Sequence, residues 1–247
     1  MAVAAGTATG VALLSSQAPP AFVDVGGFAM VGAIAPGSSQ GLFVAAIALI
    51  GPARASVLVG TSPVFSVLLA IAFLGEDLRA TIVVGTLATV SGGVLIGWER
   101  RPGAGRLGVV FGIATAVSFG VRDVVARDLT TNGTVSTWWA GAIVLGAATV
   151  VLSTMLVLRH GATSGSVLRR ALPEFVASGL VIGLALPVLL AAFDRGEVGL
   201  VAPLSLAAQN VAVVGFGAVA FGATERTPRV LAAVGLVIAG GALVLTA

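Results

Sequence analysis

Along its 247 residues the sequence alternates between long uncharged stretches and short charged gaps. The uncharged stretches cover residues 1–23, 26–50, 55–75, 80–98, 107–121, 129–158, 175–193, 198–224 and 230–247. A helix needs roughly 20 apolar residues to cross the hydrocarbon core, and nearly every stretch reaches that length. The pattern predicts nine helical segments, at about 1–15, 26–50, 55–75, 80–98, 107–127, 135–158, 174–193, 198–222 and 229–246. Connections of a few residues make sequence neighbours antiparallel. The predicted fold is therefore an all-α integral membrane protein, a polytopic bundle of about nine transmembrane helices.

Composition supports this class. Mean hydropathy is +1.11 and only 9% of residues are charged, where a soluble domain carries about a quarter. The bland alternative, buried helices in a soluble core, fails because the chain offers no polar shell. The calculated pI of 11.3 invites a nucleic-acid reading. Net charge is only +3, however, and the basic residues are all Arg, in pairs such as Arg100–Arg101 and Arg169–Arg170 between apolar spans. No nucleic-acid partner is expected. The absence of Cys removes disulfides, thiolate metal sites and Cys nucleophiles. The amino terminus starts in apolar sequence without a charged leader, so it reads poorly as a signal peptide.

Small residues one turn apart recur within the spans: Gly93 and Gly97, Gly108 and Gly112, Gly179 and Gly183. In lipid this spacing lets helix backbones approach closely. The most informative feature is an internal repeat. AFLGEDLRATIVVGTLATVSGGVLI starts at Ala72, and AFGATERTPRVLAAVGLVIAGGALVL starts at Ala220. Each passes from the end of one span through a glutamate (Glu76, Glu225) into a helix with a Gly pair (Gly92–Gly93, Gly240–Gly241). Five spans separate the copies. An odd number reverses direction, so the copies are expected upside down relative to each other, as in many secondary transporters.

Taking loops alternately, one membrane side collects Arg54, Arg100, Arg101, Arg106, Arg159, Arg169, Arg170, Arg226 and Arg229. The other collects Arg79, Arg127 and Arg195 and most of the acids. Counting bases puts the first side in the cytoplasm and the carboxyl terminus outside.

These residues resemble the EamA-type domain of the drug/metabolite transporter superfamily. ALIGPARASVLVGTSPVFSVLLAIAFLGEDLR has Pro63 within a helix and Leu74-Gly75-Glu76 closing it. The second copy, AAFDRGEVGLVAPLSLAAQNVAVVGFGAVAFGATER, departs where a second central Pro would fall, at Gln209 or Asn210. The resemblance covers nearly the whole chain. It implies two inverted EamA-like repeats, here residues 1–100, amino-terminally incomplete, and 106–247. The family fold has ten helices, so the first helix and part of the second are expected to be missing. It also implies a cytoplasmic carboxyl terminus, against the Arg count.

Transporter sites lie near the midplane, often where Pro or Gly interrupts helices at matching positions. Two matched pairs are expected to interrupt helices: Pro36 with Pro187, and Pro63 with Pro203. Beside them stand the candidate substrate-binding residues Ser39, Gln40, Ser62, Gln209 and Asn210, with Arg122 as a further candidate. The bland reading makes Ser and Pro the glue and kinks of a bundle. It is weakest for the amides, which are costly in lipid without partners. Arg122 could instead snorkel to the interface, and Asp123 can pair with Arg127 four residues on. Glu76 and Glu225 sit at helix junctions and read as structural. No carboxylate stands out for proton coupling. The sequence has no HExxH, G-x-S-x-G or phosphate-binding Gly loop, and His160 reads as a solvated loop residue. No enzyme, metal or cofactor is expected. The expected function is multi-pass transport of a small metabolite or drug-like solute across the cell membrane by alternating access. The alternative is a non-transporting membrane scaffold or subunit, a degenerate transporter remnant.

Overall fold

A computed structural model describes residues 1–15, 18–77, 79–97, 105–161, 164–220 and 228–246. The described residues form helices throughout, in the order α1 (Ala2–Leu14), α2 (Phe22–Gly32), a π-helical segment (Ala33–Ser38), α3 (Ser39–Ile50), α4 (Pro52–Val59), α5 (Ser62–Leu74), α6 (Ala80–Gly97), α7 (Arg106–Asn132), α8 (Thr137–His160), α9 (Ser164–Arg195), α10 (Val198–Ala220) and α11 (Pro228–Val244). Each of the nine predicted segments falls on one helix or on a broken pair. Among the described residues, five stretches are long and apolar enough to cross a membrane: Asp24–Ile50, Arg54–Leu74, Arg106–Asn132, Thr137–His160 and Phe175–Arg195. α1, α6, α10 and α11 are apolar as well. The chain is a multi-pass membrane protein. Arg100, Arg101, Glu225 and Arg226, used above for orientation and the repeat, lie outside the described residues.

The ends of these helices follow from local chemistry. Ser136 is extended ahead of α8 and its hydroxyl accepts from the Trp139 N–H, satisfying one donor of the first turn. Gly75 closes α5 in the left-handed region (φ 68), where a side chain would be strained. Gly51 (φ 83) likewise separates α3 from α4.

The four prolines expected to interrupt helices divide into two kinds. In the first half the chain does break. Ala35, before Pro36, is extended (φ −147, ψ 122). The Ser38 hydroxyl donates to the Ala33 and Ile34 carbonyls at 2.9 Å, satisfying acceptors there. Pro63 is the second residue of α5, where no backbone N–H is needed, and the break lies before it at Gly60–Thr61. In the second half the expectation is corrected: α9 runs through Pro187, and α10 through Pro203. Pro187 lies among Leu, Ala and Val, and its ring fills the space over Gly141 of α8, its Cγ 2.5 Å from where a Cβ at that glycine would sit. It is a packing block within a continuous helix.

The chain divides into two compact units, residues 1–41 with 125–195, and 42–124 with 196–247. In the first, α1 packs on α8 and α9, and α2 on α8. Gly179 and Gly183 receive α1: a Cβ at Gly183 would lie 2.6 Å from the Ala4 carbonyl. In the second, α6 and α11 form the most extensive helix pair. A Cβ at Gly85 would meet the Gly240 carbonyl at 2.7 Å, and one at Gly92 the Ala233 carbonyl at 2.7 Å. Moving up α6 from 85 to 92 moves down α11 from 240 to 233, so these corresponding helices of the repeat are antiparallel. Gly108, Gly112 and Gly120 seat α7 on Ile50, Leu58 and Phe65.

Candidate functional site

A buried charge cluster lies inside α7. Asp123 is 4% exposed and sits ~26 Å from the first residue of α7 and ~14 Å from its last, at ~1.5 Å rise per residue. Arg127 and Asp128 follow it about one turn further along the helix. An ionised group so buried needs full pairing. Asp123 Oδ1 accepts from Arg122 Nε at 2.9 Å and Nη2 at 2.6 Å, and Oδ2 accepts from Ser66 Oγ of α5 at 2.7 Å. The Arg122 guanidinium also lies 4.7 Å from the centroid of the Phe119 ring, a cation–π contact. Arg122 spends Nε and Nη2 on Asp123, and Nη1 is not part of that pair.

The local sequence explains why these groups meet. Gly120 lies one turn before Asp123, and a Cβ there would come within 2.9 Å of Phe65 Cβ and 3.0 Å of Ser66 N. The missing side chain lets α5 approach until Ser66 reaches the carboxylate. Ser66 also donates to the Ser62 carbonyl at 3.1 Å, so the candidate Ser62 stands one turn from the cluster through its backbone. Ser66 and Gly120 escaped the sequence reading, although Ser62-x-x-x-Ser66 repeats a hydroxyl at one-turn spacing.

The expected Asp123–Arg127 pair is corrected. The flexible Arg122 side chain folds back along the helix to the adjacent carboxylate, although neighbouring residues start on different faces. Arg127 instead donates to the Phe193 carbonyl and, at 3.0 Å, to the Asp194 carbonyl. Those acceptors belong to the last turn of α9, where helix carbonyls lack partners and a cation is favoured.

The remaining candidates differ in environment. Asn210 faces Gly93: its Nδ2 lies 3.5 Å from where a Cβ at that glycine would be, and it is buried without a partner among the described residues. Gln209, one position earlier, is exposed. Ser39 is fully buried directly after the break at Ala35, and its hydroxyl has no partner among the described residues. Gln40 is half-buried.

Glu76 has a structural part, as its position at a helix junction suggested. Its carboxylate accepts from the Val198 N–H at 2.6 Å and the Gly199 N–H at 2.9 Å, capping α10 from a distant segment. Beside it Arg79 bridges to Glu197 at 3.2 Å. Among the described residues no cluster of His, Asp or Glu could hold a metal.

Residues 1–98 match the family model of the EamA-like transporter family. A search of curated proteins returns no match. Twenty chains of solved structures match the fold. One of them, a protein described only as a crystal structure, is 21% identical with a TM-score of 0.78, over 98% of this chain and 85% of its own.

Proposed function

We propose, because residues 1–98 match the family model of the EamA-like transporter family, that the protein carries a small metabolite or drug-like solute across the cell membrane by alternating access. The observation that carries this reading is the cluster of Arg122, Asp123 and Ser66. A buried ion pair in lipid costs desolvation, and a hydrophobic replacement of similar volume would be no less stable. Its presence is understood if the pair meets a polar solute. Arg122 is the contact residue: it has a donor nitrogen that Asp123 does not use, and Asp123 and Phe119 fix its orientation. Asn210, in the same compact unit, is a further contact residue, since it holds a buried polar group with no partner among the described residues. Two inverted repeats, 1–100 and 106–247, would both contribute to this cluster, Ser66 from the first and Arg122 with Asp123 from the second.

The test is flux in proteoliposomes loaded with a metabolite panel. Arg122→Gln and Asn210→Leu are expected to abolish transport of whatever substrate the wild type moves while remaining in the membrane. Undiminished flux in both would sink this site. A protein that moves no solute, and whose melting no solute shifts, would instead fit a scaffold.

A further inference from the structure

On its outward side α8 carries a groove of about 420 Å³ lined by Thr149, Val150, Ser153, Thr154, Val157 and Leu158. The Thr149 and Thr154 hydroxyls are turned back onto their own helix, donating to the Leu145 and Val150 carbonyls. An occupant therefore meets the methyl groups of the two Thr, the side chains of Val150, Val157 and Leu158, and Ser153. Along the helix the lining spans ~14 Å at ~1.5 Å per residue, a length suited to part of an extended acyl chain.

The groove ends at a cation. The residue after Leu158 is Arg159, which is exposed, as is Arg169 on α9, six residues beyond the connection 161–163. From Arg159 through Glu174 the sequence holds three Arg against one acid, Glu174. The uncharged run of α9 follows Glu174 in the sequence, so Arg169 and Arg170 precede the hydrocarbon-crossing part. In that stretch Val167, Leu168, Ala171 and Leu172 recur at helical spacing with the two Arg between them, the pattern of a segment at a membrane surface.

We propose that this corner of α8 and α9 binds an anionic phospholipid, one acyl chain in the α8 groove and the phosphate on Arg159 and Arg169. Guanidinium groups suit the site because they pair with phosphate oxygens bidentately. An apolar groove alone would take any lipid, and the adjoining unbalanced positive charge selects the anionic one.

The experiment uses the purified full chain in detergent with added phosphatidylglycerol or phosphatidylcholine, reading retained lipid by native mass spectrometry and stability by thermal melting. The wild type should retain phosphatidylglycerol in preference and melt several degrees higher with it. The pair Arg159→Gln and Arg169→Gln should weaken phosphatidylglycerol retention about tenfold or more and leave phosphatidylcholine unchanged. Ser153→Trp, which fills the groove on an exposed face, should lower retention of both. Free glycerol phosphate should not compete. Wild-type preference in the double Arg variant, unaltered retention in Ser153→Trp, or competition by glycerol phosphate would each overturn the proposal. So would a lipid-independent dimer abolished by Ser153→Trp, which would mark a protein occupant.

Discussion

At the scale of single residues, the feature that stands out is a buried charge in the apolar helix α7. Asp123 has both oxygens occupied, one by Arg122 and one by Ser66. Asp123→Asn removes the counter-charge of a mostly buried guanidinium and should cost roughly 3 kcal/mol. Ser66→Ala removes one hydrogen bond to a charged acceptor and should cost about 2 kcal/mol. Thermal melting in detergent gives the order, and a larger loss in Ser66→Ala would contradict the assignment of Arg122 as the main partner. Glu76 acts differently. It meets two N–H donors that α10 cannot satisfy internally, so Glu76→Gln should cost about 1–2 kcal/mol. Transport by folded Glu76→Gln should persist, since the carboxylate faces a helix end. Loss of flux with unchanged melting would assign it to the site instead.

At the scale of helices, glycine placement decides which elements meet. Gly85 and Gly92 stand two turns apart on α6 and oppose Gly240 and Ala233 of α11. Backbones at this distance gain van der Waals contact that lipid cannot supply. Gly92→Leu would drive its side chain into Val237 and should destabilise by about 3 kcal/mol. Gly235, with nothing within 4 Å of its Cβ position, is the control: Gly235→Leu should change little. Equal melting of the two variants would count against the α6–α11 contact. Proline shows the same dependence on surroundings. Pro36 breaks its helix among Gly and Ser residues, whereas Pro187 stays within a continuous helix against Gly141.

At the scale of the whole chain, the distribution of Arg should fix orientation. The protein has no Cys, so a single introduced Cys reports topology without background. By the positive-inside rule, Asn132→Cys at the end of α7 should react with an impermeant maleimide in intact cells. Gly165→Cys, in the Arg-rich corner of α9, should react only after permeabilisation. The reverse pattern would place that corner outside and align the chain with the orientation implied by the family resemblance.

The sequence by itself determined the class and the segments, because in lipid every backbone polar group must be paired within its own helix. Uncharged runs of spanning length then leave little choice, and the predicted segments match the described helices closely. It also marked Arg122 and Asn210 as unusual, since amides and charges are rare in such runs. It did not determine their partners. Asp123 lies beside Arg122 in sequence and one turn from Arg127, and only the tertiary structure, by bringing Ser66 against Gly120 and the end of α9 to Arg127, decided which cation it holds. The same is true of the prolines, whose effect on a helix depended on what packed beside them. Helix formation in a membrane is local and legible in one dimension; pairing across helices depends on which small residues allow close approach, and that is settled in three.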